Sequence, residues 1–279
     1  MGIKKEKTVW LNPSHPNYER WLRGRECAQK RAEIVWDIIS TYKPCENLNM
    51  LDIGSGEGGT SFFFSQSNNV VSYDFSLFRL NLQRQRDQNF SIINGKAECL
   101  PFLDSSFELI VLQDVIEHVK EKVLLVKEVK RVLKKDGFIY ISTPNKLSIF
   151  NIISDPHWGL PFLSLFKRPA IRKYFLRFFR KKDSDREDLA ELLSLKELNS
   201  LFMDFSVRLY TAEIVKLILK DFRGVLWNDF HVALYFFLKK CRLLYLVKKT
   251  ANNKPGIVNN FFTPTFYVLA WQDGNRRRR

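Results

Sequence analysis

The chain has 279 residues, 45% of them hydrophobic and 24 of them Phe, which excludes a disordered or fibrous protein and suffices for a full core. Its formal charge is +15, four of those charges lying in the terminal RRRR, and the remaining excess calls for a membrane surface, a nucleic acid or an anionic small molecule. Cys27, Cys45, Cys99 and Cys241 form no C-x-x-C pair and have no His at finger spacing, which speaks against structural zinc and disulfides.

In chain order, residues 17–42 read as an amphipathic helix with Trp21, Ile34, Val35, Ile38 and Ile39 on one side. LNMLDIG is a buried strand ending in glycines, SFFFSQ opens a helix, NVVSYD is a second strand and SLFRLNLQRQRDQ a second helix. FSIIN and FELIVLQ are the third and fourth strands. VIEHVKEKVLLVKEVKRVLKKDG reads as one long helix with Gly137 at its C-cap, and FIYISTP as a fifth strand. This alternation predicts a parallel sheet with helices on both faces. The rhythm breaks over 146–208, where helical patterns without a strand suggest an inserted cap. YTAEIVKLILKDF resumes it with Thr211 as N-cap, RGVLWN reads as a strand, and TPTFYVLAWQ is β-rich with no helix after it.

LDIGSGEGGT carries G-x-G-x-x-G as Gly54, Gly56 and Gly59, with Asp74 at the next strand end, where a carboxylate suits ribose hydroxyls. That pair of features is shared by dinucleotide sites. Asp52 separates the readings: beside a pyrophosphate its carboxylate repels by roughly 2–4 kcal/mol, whereas an ammonium and sulfonium ligand welcomes it. Asp52 as a cap of the following helix or loop stays open as the alternative.

The segments LDIGSGEGG, VVSYD, NGKAECLPFLDSSFELIVLQDVIEHV and LKKDGFIYISTPN resemble, in order and spacing, the class I S-adenosylmethionine-dependent methyltransferases. The resemblance is to the branch that includes the ubiquinone- and menaquinone-biosynthesis methyltransferases, covers roughly residues 45–145, and continues more weakly through 210–227 and 263–272. It implies an α/β, Rossmann-like, mostly parallel seven-stranded sheet whose last strand is antiparallel, with S-adenosyl-L-methionine as cofactor. The implied organisation is an N-terminal helical segment over 1–44, a cofactor core over 45–145 and a substrate cap over 146–208. The rest of the core spans 209–272, with a helical insertion around 229–250, and 273–279 form a basic tail. By the same resemblance, Asp52, Gly54 and Gly56 surround the methionine part, Asp74 holds the ribose, Ala97 and Glu98 flank the adenine, and Gln113 faces the methyl end. Lys96 departs from the Asp common at its position, which puts one adenine contact in question; backbone groups or Glu98 could supply it instead.

Methyl transfer needs an aligned acceptor and, for a hydroxyl, a proton acceptor. In QDVIEHV, Asp114, Glu117 and His118 fall on neighbouring positions of one helical turn. A similar group accompanies a divalent metal in some ubiquinone-pathway O-methyltransferases. Many relatives carry Glu-His without one, and no metal is expected here. His118 is the expected base, with capping of the helix start as its other role, and His157 in SDPHWGLP the second candidate, on a turn that Trp158 could plug.

KRPAIRKYFLRFFRKK, 167–182, holds eight basic residues and no acid. Its stripe of Ile171, Tyr174, Phe175 and Phe178 suits either a membrane-surface element or an ordinary cap helix, and 231–249 repeats the aromatic and basic character. With no signal core and no spanning run, the expectation is a cytoplasmic enzyme, peripheral at the inner membrane face. Its expected acceptor is a small molecule or lipid-linked glycan methylated at oxygen, with quinone-ring C-methylation or a catalytically silent binding module as alternatives. Nucleic acid is not the expected partner: no Asn/Asp-Pro-Pro-aromatic motif follows the fourth strand, and the one Pro-Cys, Pro44-Cys45, precedes the first.

Overall fold

A computed structural model describes residues 13–14, 18–86, 89–179, 189–226 and 228–272. The basic tail 273–279 and the end of the basic stretch, 180–182, lie outside the described residues.

Two helices open the described chain, α1 (Tyr18–Glu26) and α2 (Ala28–Ser40), followed by β1 (Asn49–Ile53), α3 (Gly59–Phe64), β2 (Asn69–Asp74), α4 (Leu77–Arg84) and β3 (Ser91–Asn94). Next come β4 (Phe107–Gln113), α5 (Lys122–Val132), β5 (Leu133–Pro144) and α6 (Ile149–Ile153). The cap continues as α7 (Arg168–Ala170), a π-helical turn (Ile171–Leu176) and α8 (Arg177–Phe179). The chain then forms α9 (Leu195–Leu201), β6 (Ser206–Leu209), α10 (Thr211–Lys220), α11 (Asp229–Lys240), α12 (Leu244–Thr250) and β7 (Thr265–Trp271).

The seven strands run in the order β3-β2-β1-β4-β5-β7-β6, parallel except for β7, which is antiparallel to both its neighbours. Strand alternation divides the core between the faces. Ile110 and Leu112 of β4 and Ile139 and Ile141 of β5 meet Leu125, Val129 and Val132 of α5 and Leu198 of α9. The intervening Leu109, Val111, Phe138 and Tyr140 join Ile34, Val35, Ile38 and Ile39 of α2 and Ile214 of α10. Burial of an aliphatic side chain of this size contributes roughly 1.5–3 kcal/mol, so each helix is held by its apolar stripe rather than by propensity.

Five local expectations are corrected. The helix over 17–42 breaks at Cys27 into α1 and α2. The helix over 115–137 is only α5: Asp114 has a left-handed φ of 56°, the following turn closes with His118 N–H donating to Val115 C=O at 2.8 Å, and Leu133 already pairs with Phe107. Gly137 is therefore a β5 residue, not a C-cap. RGVLWN is a turn through residues 223–225, with Gly224 at φ +82°. The stretch 146–208 ends in an edge strand, β6, and its residues 189–205 insert Leu193, Leu195, Leu198, Phe202 and Phe205 into the main core. Finally, Tyr210, not Thr211, is the N-cap of α10; the Thr211 hydroxyl donates to Asn259 Oδ1 at 2.5 Å.

Candidate active site

β1, β2 and β4 end side by side, which brings Asp52, Asp74 and Gln113 to the C-terminal edge of the parallel sheet, where ligands of such sheets bind. The glycine turn leaves β1 there. Gly54 has φ +68°, and a Cβ on it would lie 2.4 Å from Val115 Cγ2, so only glycine lets the turn after β4 approach. Gly56, at φ +58°, donates its N–H to Asp74 Oδ2 at 2.8 Å and offers its carbonyl to Gln83 Nε2 at 2.7 Å. The second oxygen of Asp74, Oδ1, accepts from Ser76 N–H at 2.7 Å, so this buried carboxylate shapes the turn that it adjoins.

Asp52 is also buried and accepts the Ser61 hydroxyl at 2.6 Å. Burial, with the nearby Asp74 charge, pushes its carboxyl up to about 7 against the Ser61 hydrogen bond. It thus ties Ser61 of α3 to the end of β1 while lining the cleft; the N-cap of α3 is Gly58, with no side-chain cap. Gln113 accepts the Thr60 hydroxyl at 2.8 Å, which tethers the end of β4 to α3.

Two connected clefts result. One, of about 290 Å³, is lined by Asp52, Gly54, Gly56, Gln113, Glu117, His118 and His157. The other, of about 240 Å³, is lined by Asp74, Phe75, Lys96, Ala97 and Glu98. Gly54, Arg79, Asp114 and His118 border both. All seven expected cofactor residues therefore face one continuous groove, and Lys96 sits exposed at its rim. An open space beside Gly56, where a Cβ would meet nothing nearer than Arg79 Nη1 at 4.0 Å, fits an elongated cofactor lying against the turn. The acids along the groove suit one that is cationic at one end and carries ribose hydroxyls in its middle.

QDVIEHV does not act as a helical cluster. Asp114 borders the groove with both oxygens engaged: Oδ2 accepts from Arg31 at 2.6 Å and Oδ1 from the Ser142 hydroxyl at 2.9 Å. Glu117 is fully buried, accepts the Thr143 hydroxyl at 2.9 Å on Oε2, and has no hydrogen-bond partner on Oε1 among the described residues. Burial, helped by the Asp114 charge, pushes its carboxyl up to about 8.

His118 and His157, expected from separate segments, meet edge to face with ring centroids 5.1 Å apart. His157 is presented by a tight loop. Asp155 Oδ1 accepts the backbone N–H groups of His157 and Trp158, Gly159 turns at φ +70°, and Trp158 is buried against Phe175. Arg168 fastens that cap to the core, donating to the carbonyls of Glu117, Val119 and Leu189 at 2.6–2.9 Å. Arg31 and Arg79 border the groove unforeseen, because on α2 and α4 they read as ordinary solvated charges.

Residues 51–141 match the family model of a methyltransferase domain. A Mycolicibacterium smegmatis protein described as a "Probable S-adenosylmethionine-dependent methyltransferase" is 29% identical over 43% of the chain. The chain spans 46% of that relative's length. A demethylmenaquinone methyltransferase of Listeria welshimeri is 25% identical over 68% of the chain and 82% of its own length. Among solved structures, an S-adenosylmethionine-dependent methyltransferase from Mesorhizobium loti superposes with a TM-score of 0.53 at 15% identity, over 86% of this chain and 97% of that one. Another, from Thermotoga maritima, gives 0.52 at 17% identity over 92% and 95%. Residues 51–141 thus match the methyltransferase-domain family model, and the sheet and helices around them share the fold of solved S-adenosylmethionine-dependent methyltransferases.

Proposed function

We propose that the chain transfers a methyl group from S-adenosylmethionine to an oxygen of a small-molecule or lipid-linked glycan acceptor, at the cytoplasmic face of an anionic membrane. The observation that carries this reading is the meeting of His118 and His157 in the cleft that also holds Asp52, Gly54 and Gln113. Bound cofactor supplies a methyl carbon already activated by the sulfonium for in-line displacement. The chain then has to align an acceptor and take up its proton. His118, whose imidazole lines the cleft, is the proton acceptor, and His157 on its fixed loop positions the acceptor.

Two further observations support an apolar acceptor. A cavity of about 400 Å³ between α10, α11, α12 and β7, lined by residues such as Ile218, Leu234, Leu238 and Val247, shares Pro144 and Pro156 with the methyl-transfer cleft. The basic cap helix buries Ile171 and Phe175 but leaves Tyr174, Phe178 and Phe179 at least 60% exposed, which suits insertion at a lipid interface. Among the described residues, no helix is long and apolar enough to cross a membrane.

The test uses radiolabelled S-adenosylmethionine with hydroxylated polyprenyl-linked glycans and hydroquinones in anionic vesicles, with RNA as a control acceptor. Label should enter the lipid extract as an O-methyl group and fall about 100-fold in His118→Gln. The Listeria relative favours the second reading, methylation of a quinone ring carbon, which the mass spectrum of the product separates from O-methylation. Cofactor binding with no label in any acceptor would replace both readings with a silent binding module.

A further inference from the structure

We propose that Glu117, His118 and His157 form a binding site for one divalent transition-metal ion, Zn²⁺ by preference, in the methyl-transfer cleft. The donor atoms of the three side chains all lie within 4.8 Å of one another. Donors on one tetrahedral zinc, each about 2.1 Å from it, stand about 3.4 Å apart, so side-chain rotations of about an ångström close the cluster. Two imidazoles and one carboxylate are the donor set of hydrolytic zinc sites that keep a fourth position open, and imidazole ligands favour zinc over magnesium.

Three features of the surroundings point the same way. Glu117 is fully buried with one carboxylate oxygen that no described residue satisfies, an arrangement that costs stability unless a cation or donor completes it. The Thr143 hydroxyl holds its other oxygen, as outer groups hold metal-ligating carboxylates in place. His157 arrives on a loop fixed by the Asp155 side chain and the buried Trp158, far in sequence from the other two donors. The neighbouring acid that spacing alone would include, Asp114, is committed to Arg31 and Ser142 and is not a member. With the ion bound, His118 would be a ligand and not the base, and it would serve as the base only in the metal-free chain. The ion's open position would take the acceptor oxygen and stabilise its deprotonated form, a role that rests on the O-methylation reading above. Ion binding itself does not rest on it.

The test is Zn²⁺ titration of the full chain, stripped with chelator and desalted, against a chromogenic competitor. One equivalent should bind tightly, and Co²⁺ in its place should give the intense visible bands of a four-coordinate site. Glu117→Gln and His157→Asn should each weaken the site about 100-fold, while Asp114→Asn leaves it within a few-fold. Cys27, Cys99 and Cys241 are free and reachable thiols, so equal uptake by wild type and both ligand variants would overturn the proposal, as would no stoichiometric uptake by folded wild type. Should the variants not fold, Zn²⁺ protection of His118 and His157 from diethylpyrocarbonate in the wild type decides the same question, and unprotected modification overturns it. S-adenosylmethionine titration of the same sample keeps the two readings apart. Cofactor uptake without zinc uptake removes the metal site alone, whereas zinc uptake without cofactor uptake upholds the site and removes the transferase reading.

Discussion

Replacing Gly54 by alanine isolates the close approach on which the groove depends. At φ +68° an alanine meets the left-handed backbone penalty, about 1–2 kcal/mol. Its Cβ would also lie 2.4 Å and 3.1 Å from the two γ-methyls of Val115, which is itself buried, and forced repacking of this kind costs about 1–3 kcal/mol. The expected loss is therefore about 2–5 kcal/mol, a large part of the 5–15 kcal/mol typical of a domain. Val115→Ala removes both offending methyls at a cost of about 1–3 kcal/mol. In the double variant most of the steric share disappears, the Cβ at position 115 staying 3.3 Å away, and mainly the backbone share remains. The two costs should then fall short of additivity by about 1–3 kcal/mol. Urea unfolding of the four proteins, followed by far-UV circular dichroism, measures this coupling. A loss below about 1 kcal/mol in Gly54→Ala, or simple additivity, would refute the contact. Because Gly54 borders both arms of the groove, cofactor affinity should fall in Gly54→Ala and partly return in the double variant.

Asp52 makes both binding and stability depend on pH. With its carboxyl at about 7 in the folded chain and 3.8 as the ordinary value, the native state holds a proton that the unfolded state has lost between those limits, so stability falls as pH rises through that window. The ceiling is on the order of 4 kcal/mol, and Asp52→Asn should flatten the slope in pH-dependent unfolding. Cofactor affinity should move the opposite way, rising from pH 6 to 8 in wild type but not in Asp52→Asn, because only the carboxylate attracts the cofactor's positive end. Arg168→Ala removes the donors to three backbone carbonyls and should cost about 2–4 kcal/mol in thermal unfolding. It should raise KM for the acceptor more than the Kd for the cofactor. Phe178→Ser with Phe179→Ser should leave stability within about 0.5 kcal/mol, since both rings are 72% exposed, yet abolish sedimentation with anionic vesicles.

The parallel core and the groove at its strand ends were legible because each depends on local pattern. Apolar runs ending in glycine or acid marked β1, β2 and β4, and their side-by-side ends brought Asp52, Asp74 and Gln113 together. What escaped depends on backbone signs and long-range contacts. The left-handed φ at Asp114 ended the apparent helix before it began, and with it the supposed alignment of Asp114, Glu117 and His118. Its partner Arg31 is 83 residues away, on the face of α2 that periodicity marks only as polar. RGVLWN has the composition of a strand, yet Gly224 turns it so that Val225 packs into the α2-side core. The edge strand β6, with four residues and an exposed Arg208, carries too little apolar pattern to be seen. His118 and His157 were each legible as candidates, but their contact was not, since it needs the Asp155 turn and the Arg168 clamp together.

The direct test of S-adenosylmethionine as the ligand of the groove is its isothermal titration into the wild type and Asp74→Asn, with NADH as control. Wild type should bind saturably at micromolar affinity and NADH not at all, and Asp74→Asn should lose at least about tenfold, since Asn keeps the size but not the charge at the end of β2. A well-folded wild type that takes up no S-adenosylmethionine, or that binds NADH in its place, would contradict that assignment.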